Sequence, residues 1–267
     1  MHKSSGILRP IMTNIDHAYD NTGITIGRGS VYKTVIEWFS NNKRGKVLDA
    51  PAGYGLVSMF LKKMGFEVTC GEIVPEIFQV KDLKCIYVDL NKRIDAENDT
   101  FDYVCCVDGL EHMTDPYRAV EEFSRVLKPG GYGIFTLPNY SNIEKRFKFF
   151  WFGYLTHPAD MEKFRKAGLN LFNFHNTPLT ITLLDLIFSI NGLEVEKIMR
   201  NAVKKKQYLF LPVVWLMKLM AMMASEEAKK KYRFDLTLKD EVILGGNYLV
   251  FITRKKKDYS PPITNRE

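Results

Sequence analysis

The order of apolar and polar residues along the chain predicts helices that alternate with strands. Apolar residues recur at helical spacing in four segments, residues 30–40, 56–65, 116–127 and 178–192. Short apolar runs bounded by acids, glycines or prolines predict strands over residues 46–50, 67–73, 84–90, 101–110, 132–139, 193–199 and 247–255. The letters "KPGG" before the fifth of these strands predict a helix stop and a turn. This alternation favours an α/β fold, in which helices cover both faces of a mostly parallel, doubly wound sheet.

Two connections in this pattern are far longer than ordinary turns. They span residues 139–177 and 199–246, and connections of that length inside a compact domain are typical of lids and binding segments. The first contains "IEKRFKFFWFGYL", which combines Lys145, Arg146 and Lys148 with six aromatic residues.

The second connection contains an apolar run from Tyr208 to Ala224, shortly after the basic triplet Lys204–Lys206. Its length of about 17 residues is marginal for crossing a bilayer, and Pro212 and Lys218 interrupt it. Two interpretations stay open: an interfacial helix with basic flanks, or a lid helix buried on the domain. Either one predicts an acceptor site with considerable apolar surface.

Composition places the chain among folded proteins with a moderate basic excess. The 267 residues are 46% hydrophobic, enough for a packed core, and the net charge of +7 favours anionic partners. The four cysteines form no C-x-x-C pair, so we expect reduced core thiols and predict no metal site. The first residues contain no long apolar segment of the secretory type, and a cytoplasmic protein is expected.

The stretch "KVLDAPAGYG" contains the first candidate chemistry. A strand, a glycine-rich turn and a helix form the usual nucleotide site of α/β folds, but Ser58 follows Gly53 and Gly55 where a dinucleotide site has a third glycine. Asp49 at the strand end would repel a pyrophosphate. A carboxylate there favours a ligand with an amino or cationic group and no phosphate, such as S-adenosylmethionine.

Two further acids end the next two strands. Glu72 could accept both hydroxyls of a ribose, and Asp89 could accept an amino group of adenine. Since the carboxyl ends of parallel strands share one edge of the sheet, the three acids favour a single nucleoside-bearing ligand.

These segments, together with "FDYVCCVDGLEHMTDPYRAVEEFSRVLKPGGYGIFTLPN", resemble the class I S-adenosylmethionine-dependent methyltransferases, and more narrowly the bacterial type 11/12 group. The resemblance covers residues 46–139. It implies a Rossmann-like, seven-stranded, mostly parallel sheet whose last strand is antiparallel, with helical lid insertions. It also implies one domain over residues 1–267, divided into an N-terminal cap and first helix (1–45), a cofactor-binding core (46–138) and substrate-side lids (139–177 and 199–246).

The resemblance also implies cofactor-binding residues. The methionine part would lie on a turn made of Asp49, Ala50, Pro51, Ala52, Gly53 and Gly55. Glu72 would hold the ribose with Ile73 against the adenine, and Asp89 and Leu90 would meet the adenine edge. Asp108 and Gly109 would pass beneath the methionine part. Pro51 stands where the commonest pattern has glycine, and Glu72 replaces the more frequent aspartate.

Methyl transfer needs a base only when the acceptor must lose a proton. His112 is the candidate general base, although it could equally hold its loop through a hydrogen bond. Glu111, Tyr140, His157 and His175 are the other candidates for the substrate pocket.

The resulting hypothesis is O- or C-methylation of a small-molecule or lipid-linked acceptor of apolar character, with an anionic membrane surface as a partner and a location peripheral to its inner face. A soluble natural-product or sugar O-methyltransferase is the alternative within the class. A nucleotide-binding oxidoreductase, a nucleic-acid binder or modifier, and a non-catalytic subunit are remote alternatives. The sequence leaves the oligomeric state open.

Overall fold

The computed structural model describes residues 31–155, 161–166, 175 and 177–259. In its first half, helices and strands alternate as predicted: α1 (Val31–Ser40), β1 (Lys46–Asp49), α2 (Leu56–Lys63), β2 (Glu67–Glu72), β3 (Cys85–Tyr87), β4 (Phe101–Cys106), α3 (Pro116–Val126) and β5 (Leu127–Pro138). The second half contains α4 (Ile143–Phe152), α5 (Met161–Lys166), α6 (Ile181–Ile190), β6 (Leu193–Arg200), α7 (Leu211–Met223), α8 (Glu226–Lys231), α9 (Phe234–Thr237), α10 (Asp240–Ile243) and β7 (Tyr248–Lys255).

The strands form one seven-stranded sheet in the order β3-β2-β1-β4-β5-β7-β6. The first five strands are parallel, and β7 pairs antiparallel with both β5 and β6. This confirms the predicted mostly parallel sheet with an antiparallel last strand. The strands β5 and β6 both end at the carboxyl edge of the sheet, so both long connections start there. Because β7 runs in the opposite direction, it begins at this edge, and the second connection therefore also ends there.

Apolar side chains pack on both faces of the sheet. On one face α1 and α2 contribute residues such as Phe39 and Leu61, which pack near Tyr103. On the other face, Phe135 of β5 lies between Phe123 of α3 and Phe188 of α6, with ring centroids 5.6 and 4.8 Å away. Burial of such large side chains provides most of the driving force for this layered arrangement.

Strand β5 begins five residues earlier than predicted. Leu127 pairs with Phe101, and the pairing then shifts so that Tyr132 lies opposite Tyr103. Extra residues in one strand of a pair produce such a bulge, and Gly130 adopts the positive φ of 76° that glycine tolerates. The predicted turn at "KPGG" is therefore an irregular start of the strand.

The two long connections pack against each other above the carboxyl edge. A small separate core is formed by Ile143 of α4, Val214 of α7, and Ile243 and Leu244 at the end of α10. Val214 is the one buried residue of α7, so this helix is not the buried lid that one interpretation expected. Among the described helices, none combines the length and the apolar character needed to span a bilayer.

Candidate active site

A cavity of about 300 Å³ opens at the carboxyl edge of the sheet, over the ends of β1, β2 and β4 and the segment after β3. Ten of the twelve residues predicted to bind the cofactor line it: Asp49, Pro51, Ala52, Gly53, Glu72, Ile73, Asp89, Leu90, Asp108 and Gly109. The remaining two, Ala50 and Gly55, do not line this cavity. The N–H of Ala50 continues the sheet by donating to the carbonyl of Cys105, and Gly55 lies behind the turn at the N-terminus of α2, with Phe78 and Val80 against it.

Asp49 ends β1 beneath the glycine turn and is almost completely buried. The hydroxyl of Ser58, in the first turn of α2, donates to its Oδ2 at 2.5 Å. Burial raises the pKa of Asp49 to about 7 despite this hydrogen bond. A cationic ligand group in the cavity would therefore favour its ionised form.

Glu72 ends β2 on the other side of the same turn. Its Oε2 accepts from the N–H of Gly53 and its Oε1 from the N–H of Ile73, both at 2.8 Å. These bonds fix the carboxylate towards the cavity while each oxygen keeps a lone pair for a ligand hydroxyl. The sequence placed Glu72 at a strand end, but did not reveal that it also holds the turn.

Asp89 lies just beyond β3. Its Oδ1 accepts from the backbone N–H and the side chain of Asn91, and Lys92 lies 3.2 Å from its Oδ2. Burial alone would raise its pKa, but these hydrogen bonds and the lysine lower it. Asp89 is therefore an ionised acceptor at the edge of the cavity.

Asp108 and Gly109 follow β4 and form the wall opposite the glycine turn. Asp108 has a positive φ of 50° and is bonded to the hydroxyl of Thr136. A methyl group on Gly109 would approach Cδ of Pro51 to 2.5 Å and Sγ of Cys106 to 2.7 Å. Glycine at this position therefore lets the wall pack directly on the first turn.

Several lining residues were not singled out from the sequence. Tyr32 of α1 contacts Asp108 through its hydroxyl, and burial followed by the charge of Asp108 raises its pKa. The others are Tyr54, Leu56, Val57, Val88, Asn91, Val107 and Met113. Most of them are apolar residues next to the predicted acids. At such positions the sequence pattern is equally consistent with a side chain of the hydrophobic core.

Beside this cavity, a second group of polar side chains brings together distant parts of the chain. His112, in the short 3₁₀ turn Leu110–His112 after β4, lines the cavity. Its ring lies 5.0 Å from that of His175 in an edge-to-face arrangement, and Nδ1 of His175 lies 3.3 Å from the hydroxyl of Tyr140. Three of the predicted substrate-pocket residues, Tyr140, His112 and His175, are thus neighbours, whereas His157 falls outside the described residues.

Glu111 is the buried acid of this group. Among the described residues, neither of its carboxylate oxygens has a hydrogen-bond partner. Burial, and then the charge of Asp108, raises its pKa to about 8. Burial of Tyr248 on β7, followed by the charges of Asp108 and Glu111, raises the pKa of this tyrosine to about 12. A buried carboxyl without a partner is costly, and a ligand group here would remove that cost.

Ligand atoms of Glu111, His112 and His175 lie within 4.8 Å of one another. Such a set could hold a metal ion, which the sequence pattern did not indicate. The same three groups can equally exchange protons with an acceptor hydroxyl.

The cavity fits the chemistry of S-adenosylmethionine. Asp49 and Glu72 are buried carboxylates, and no lysine or arginine in the described part of the chain forms an ion pair with either of them. Buried acids of this kind require donors or a cation, which the amino group and the ribose hydroxyls of this cofactor provide. The apolar lining from Ile73, Leu90 and Val107 suits the adenine ring.

Comparison with known proteins agrees with this arrangement. A family model described as a methyltransferase domain matches residues 28–198. The chain is 36% identical over 95 residues to a ubiquinone biosynthesis O-methyltransferase of Xylella fastidiosa and 34% identical to one of Xanthomonas oryzae. Each match covers 32% of this chain, and the chain spans only 39% and 40% of these relatives.

Solved structures share the fold along most of the chain. A SAM-dependent methyltransferase from Archaeoglobus fulgidus superimposes with a TM-score of 0.55 at 15% identity, covering 85% of this chain and 92% of that one. A putative methyltransferase from Haloferax volcanii, solved with its Trm112 activator, gives 0.54 at 14% identity and covers 95% and 97%. Because the family model matches more than half of the chain and the fold agrees, this chain belongs to the class I S-adenosylmethionine-dependent methyltransferases.

Proposed function

We propose that the protein transfers the methyl group of S-adenosylmethionine to an oxygen of a small acceptor with apolar character. The observation that carries this proposal is the position of His112, which lines the cofactor cavity and also neighbours Glu111 and His175. An acceptor hydroxyl that meets the methyl group there would lie beside groups able to take its proton. The O-methyltransferases that match part of the chain support the choice of oxygen.

The residues of the cavity orient the cofactor. Asp49 would hold its amino group, Glu72 its ribose and Asp89 its adenine edge. When bound, S-adenosylmethionine supplies a methyl group already activated on a sulfonium, so the protein contributes mainly alignment and exclusion of water. The close approach of Gly109 to Pro51 fixes the separation of the two walls.

His112 removes the proton of the acceptor hydroxyl. Tyr140 orients His175, which lies edge-on to His112 and limits the rotation of its ring. Glu111 is largely protonated at neutral pH, since its pKa is raised to about 8, and can donate a hydrogen bond to the acceptor or to an imidazole. C-methylation of an acidic carbon would use the same groups.

The acceptor is lipid-linked and is reached at an anionic membrane surface. This part of the proposal is supported by the apolar and basic composition of both long connections, and by the exposed surface of α7. We also propose that residues 139–177 and 199–246 act as the substrate-side lids of a single domain.

Two measurements test the function. Calorimetric titration with S-adenosylhomocysteine should give stoichiometric binding, and NADH should not bind. Mass spectrometry should then detect methylation of a catechol carrying an isoprenoid tail, with the untailed catechol as the matched control. Absence of S-adenosylhomocysteine binding would overturn the cofactor assignment. Binding with equal turnover of both catechols would instead favour a soluble acceptor.

A further inference from the structure

Exposed apolar side chains are concentrated in the two long connections. Of 23 large apolar residues that are exposed in the described chain, 14 lie within residues 149–154 and 208–223. Trp151 is 68% exposed, and Met223 is 80% exposed. A soluble protein rarely exposes so many large apolar groups together, and larger patches mark interaction sites.

Helix α7 is the clearest example. It is apolar at every position except Lys218, yet Val214 is its one buried residue. A helix that is hydrophobic on all sides normally lies in a core or in a membrane. Its 13 residues extend about 20 Å, too short for a bilayer core of about 30 Å. The helix can therefore lie along an interface rather than across it.

Positive charge is concentrated in these segments and in the residues that flank them. Residues 143–155 and 203–233 contain eleven Lys or Arg and three Glu, a net charge of +8. The whole chain has +7, so the remaining residues together carry −1. Around Glu144, the ammonium groups of Lys148, Lys204 and Lys206 lie within 3.0–3.2 Å of one carboxylate, which neutralises only one of the three.

Contacts between α4 and α7 join these segments into one structural unit. Phe147 of α4 stacks near Phe210, just before α7, with ring centroids 4.8 Å apart. The unit is also attached to the active site, because only two residues separate Tyr140 from the start of α4. From there α4 extends about 15 Å to the aromatic residues at its C-terminal end. This span suits a lipid whose reactive head reaches the cavity while its tail stays in the bilayer.

We propose that the exposed faces of α4 and α7, with their flanking lysines, form a docking surface for an anionic lipid bilayer. The docking surface comprises Phe149–Phe152 and Leu209–Met223, with Lys205 and Lys229–Lys231 at its margin. Its apolar residues enter the acyl boundary and its lysines meet the anionic headgroups. A second copy of the chain fits less well, because a symmetric dimer would bring the same +8 segments together. This inference deepens the proposed function, on which it rests for the identity of the acceptor as a lipid. Docking on the bilayer does not itself require an acceptor.

Vesicle co-sedimentation provides the test. The protein should bind vesicles of equimolar phosphatidylcholine and phosphatidylglycerol, and binding should weaken as salt is raised and on pure phosphatidylcholine. Leu216→Glu should weaken binding at least about tenfold, because it puts a charge in place of an exposed apolar side chain that would enter the acyl boundary. Lys205→Gln should weaken it about fivefold.

Leu186→Glu is the matched control. Leu186 on α6 is 53% exposed and Leu216 is 51% exposed, so both variants place a glutamate at an equally exposed leucine. Leu186→Glu should bind vesicles like the unchanged protein, and both variants should keep their affinity for S-adenosylhomocysteine. Equal losses in the two variants, or no binding by the unchanged protein, would overturn the inference. A dimer in solution that Leu216→Glu dissociates would assign this surface to a second copy instead.

Tryptophan emission gives a second, local readout. Of the three tryptophans in the chain, Trp151 and Trp215 lie on the docking surface and Trp38 lies in α1. Emission should shift to shorter wavelength when anionic vesicles are added. The shift should disappear in the Trp151→Phe, Trp215→Phe double variant, and its persistence there would contradict the assigned surface.

Discussion

At the residue scale, the charge of Asp49 depends directly on its surroundings. In water an aspartate is ionised above about pH 4, but burial raises the pKa of Asp49 to about 7 in the folded protein. The folded protein therefore keeps the proton of Asp49 up to a higher pH than the unfolded chain does. The free energy of unfolding decreases for this reason as the pH rises from about 4 to about 7. A bound ammonium group that pairs with the carboxylate would reverse this preference for the protonated form.

Affinity for S-adenosylhomocysteine should therefore increase with pH through the pKa of Asp49. Below that pKa, affinity should fall by up to about tenfold per pH unit, since only the ionised form pairs with the ligand's amino group. Asp49→Asn, which keeps the size of the side chain, should bind more weakly and show a flat pH profile. Calorimetric titrations from about one unit below to one unit above the pKa would measure both. An equally steep profile in the variant would assign the dependence to another group.

His112 provides the second test at this scale. Loss of a general base typically slows proton transfer about 10² to 10⁴-fold, so His112→Ala should reduce kcat by that order. Affinity for S-adenosylhomocysteine should change little, because the three acids remain. His112→Gln, which can keep a structural hydrogen bond but cannot take the proton, should be equally impaired. Restored turnover in His112→Gln would show that the residue only holds its loop.

At the scale of elements, the sequence predicted what short-range patterns determine. Strand ends fix the positions of Asp49 and Glu72, because a buried run that stops at an acid places that acid at the sheet edge. Asp89 was predicted to end its strand as well, but β3 stops at Tyr87 and Asp89 lies two residues beyond it. The start of β5 was predicted wrongly, because Gly130 and its neighbours join the sheet through a bulge that depends on pairing with β4. Such pairing is a tertiary property that local propensity does not encode.

The remainder of the site depends on contacts between distant segments. Tyr32 lies on a helix and Tyr248 begins the last strand. Each of these residues fits a structural role when its own segment is considered alone. Only the sheet order, with β7 between β5 and β6, brings Tyr248 close enough to Asp108 and Glu111 for their charges to affect its pKa. No spacing along the chain could have indicated this.

The contact between the first turn and the wall after β4 is testable at the element scale. Gly109→Ala would place a methyl group 2.5 Å from Pro51, and overpacking of this kind typically costs about 1 to 3 kcal/mol. We expect a lower melting temperature together with weaker binding of S-adenosylhomocysteine. Gly153→Ala is the control: its methyl group meets nothing within 4 Å, and its φ of 69° adds only backbone strain. That variant should lose stability without losing cofactor affinity.

At the scale of the whole molecule, two buried asparagines join the two long connections to each other next to the sheet. Asn139 donates from Nδ2 to the carbonyl of Val242 at 2.8 Å, and Asn142 donates to that of Gly246 at 3.0 Å. Residues just after β5 are thereby tied to residues just before β7. The two long connections, which we propose to cover the acceptor, can then be held in place by hydrogen bonds that do not involve the cofactor cavity.

Substitution of Asn142 should therefore separate acceptor turnover from cofactor binding. Its Oδ1 also caps α4 by accepting from the N–H of Lys145, so Asn142→Ala loses the cap and the link to Gly246, about 2 kcal/mol or more together. Asn142→Ser keeps a capping oxygen but removes the link, and should be less destabilised. Both variants should turn over a tailed acceptor more slowly, while binding S-adenosylhomocysteine as tightly as the unchanged protein. A parallel loss of cofactor affinity would mean that the connections and the cavity form one cooperative unit, and that α4 and α7 cannot move without disturbing the cofactor.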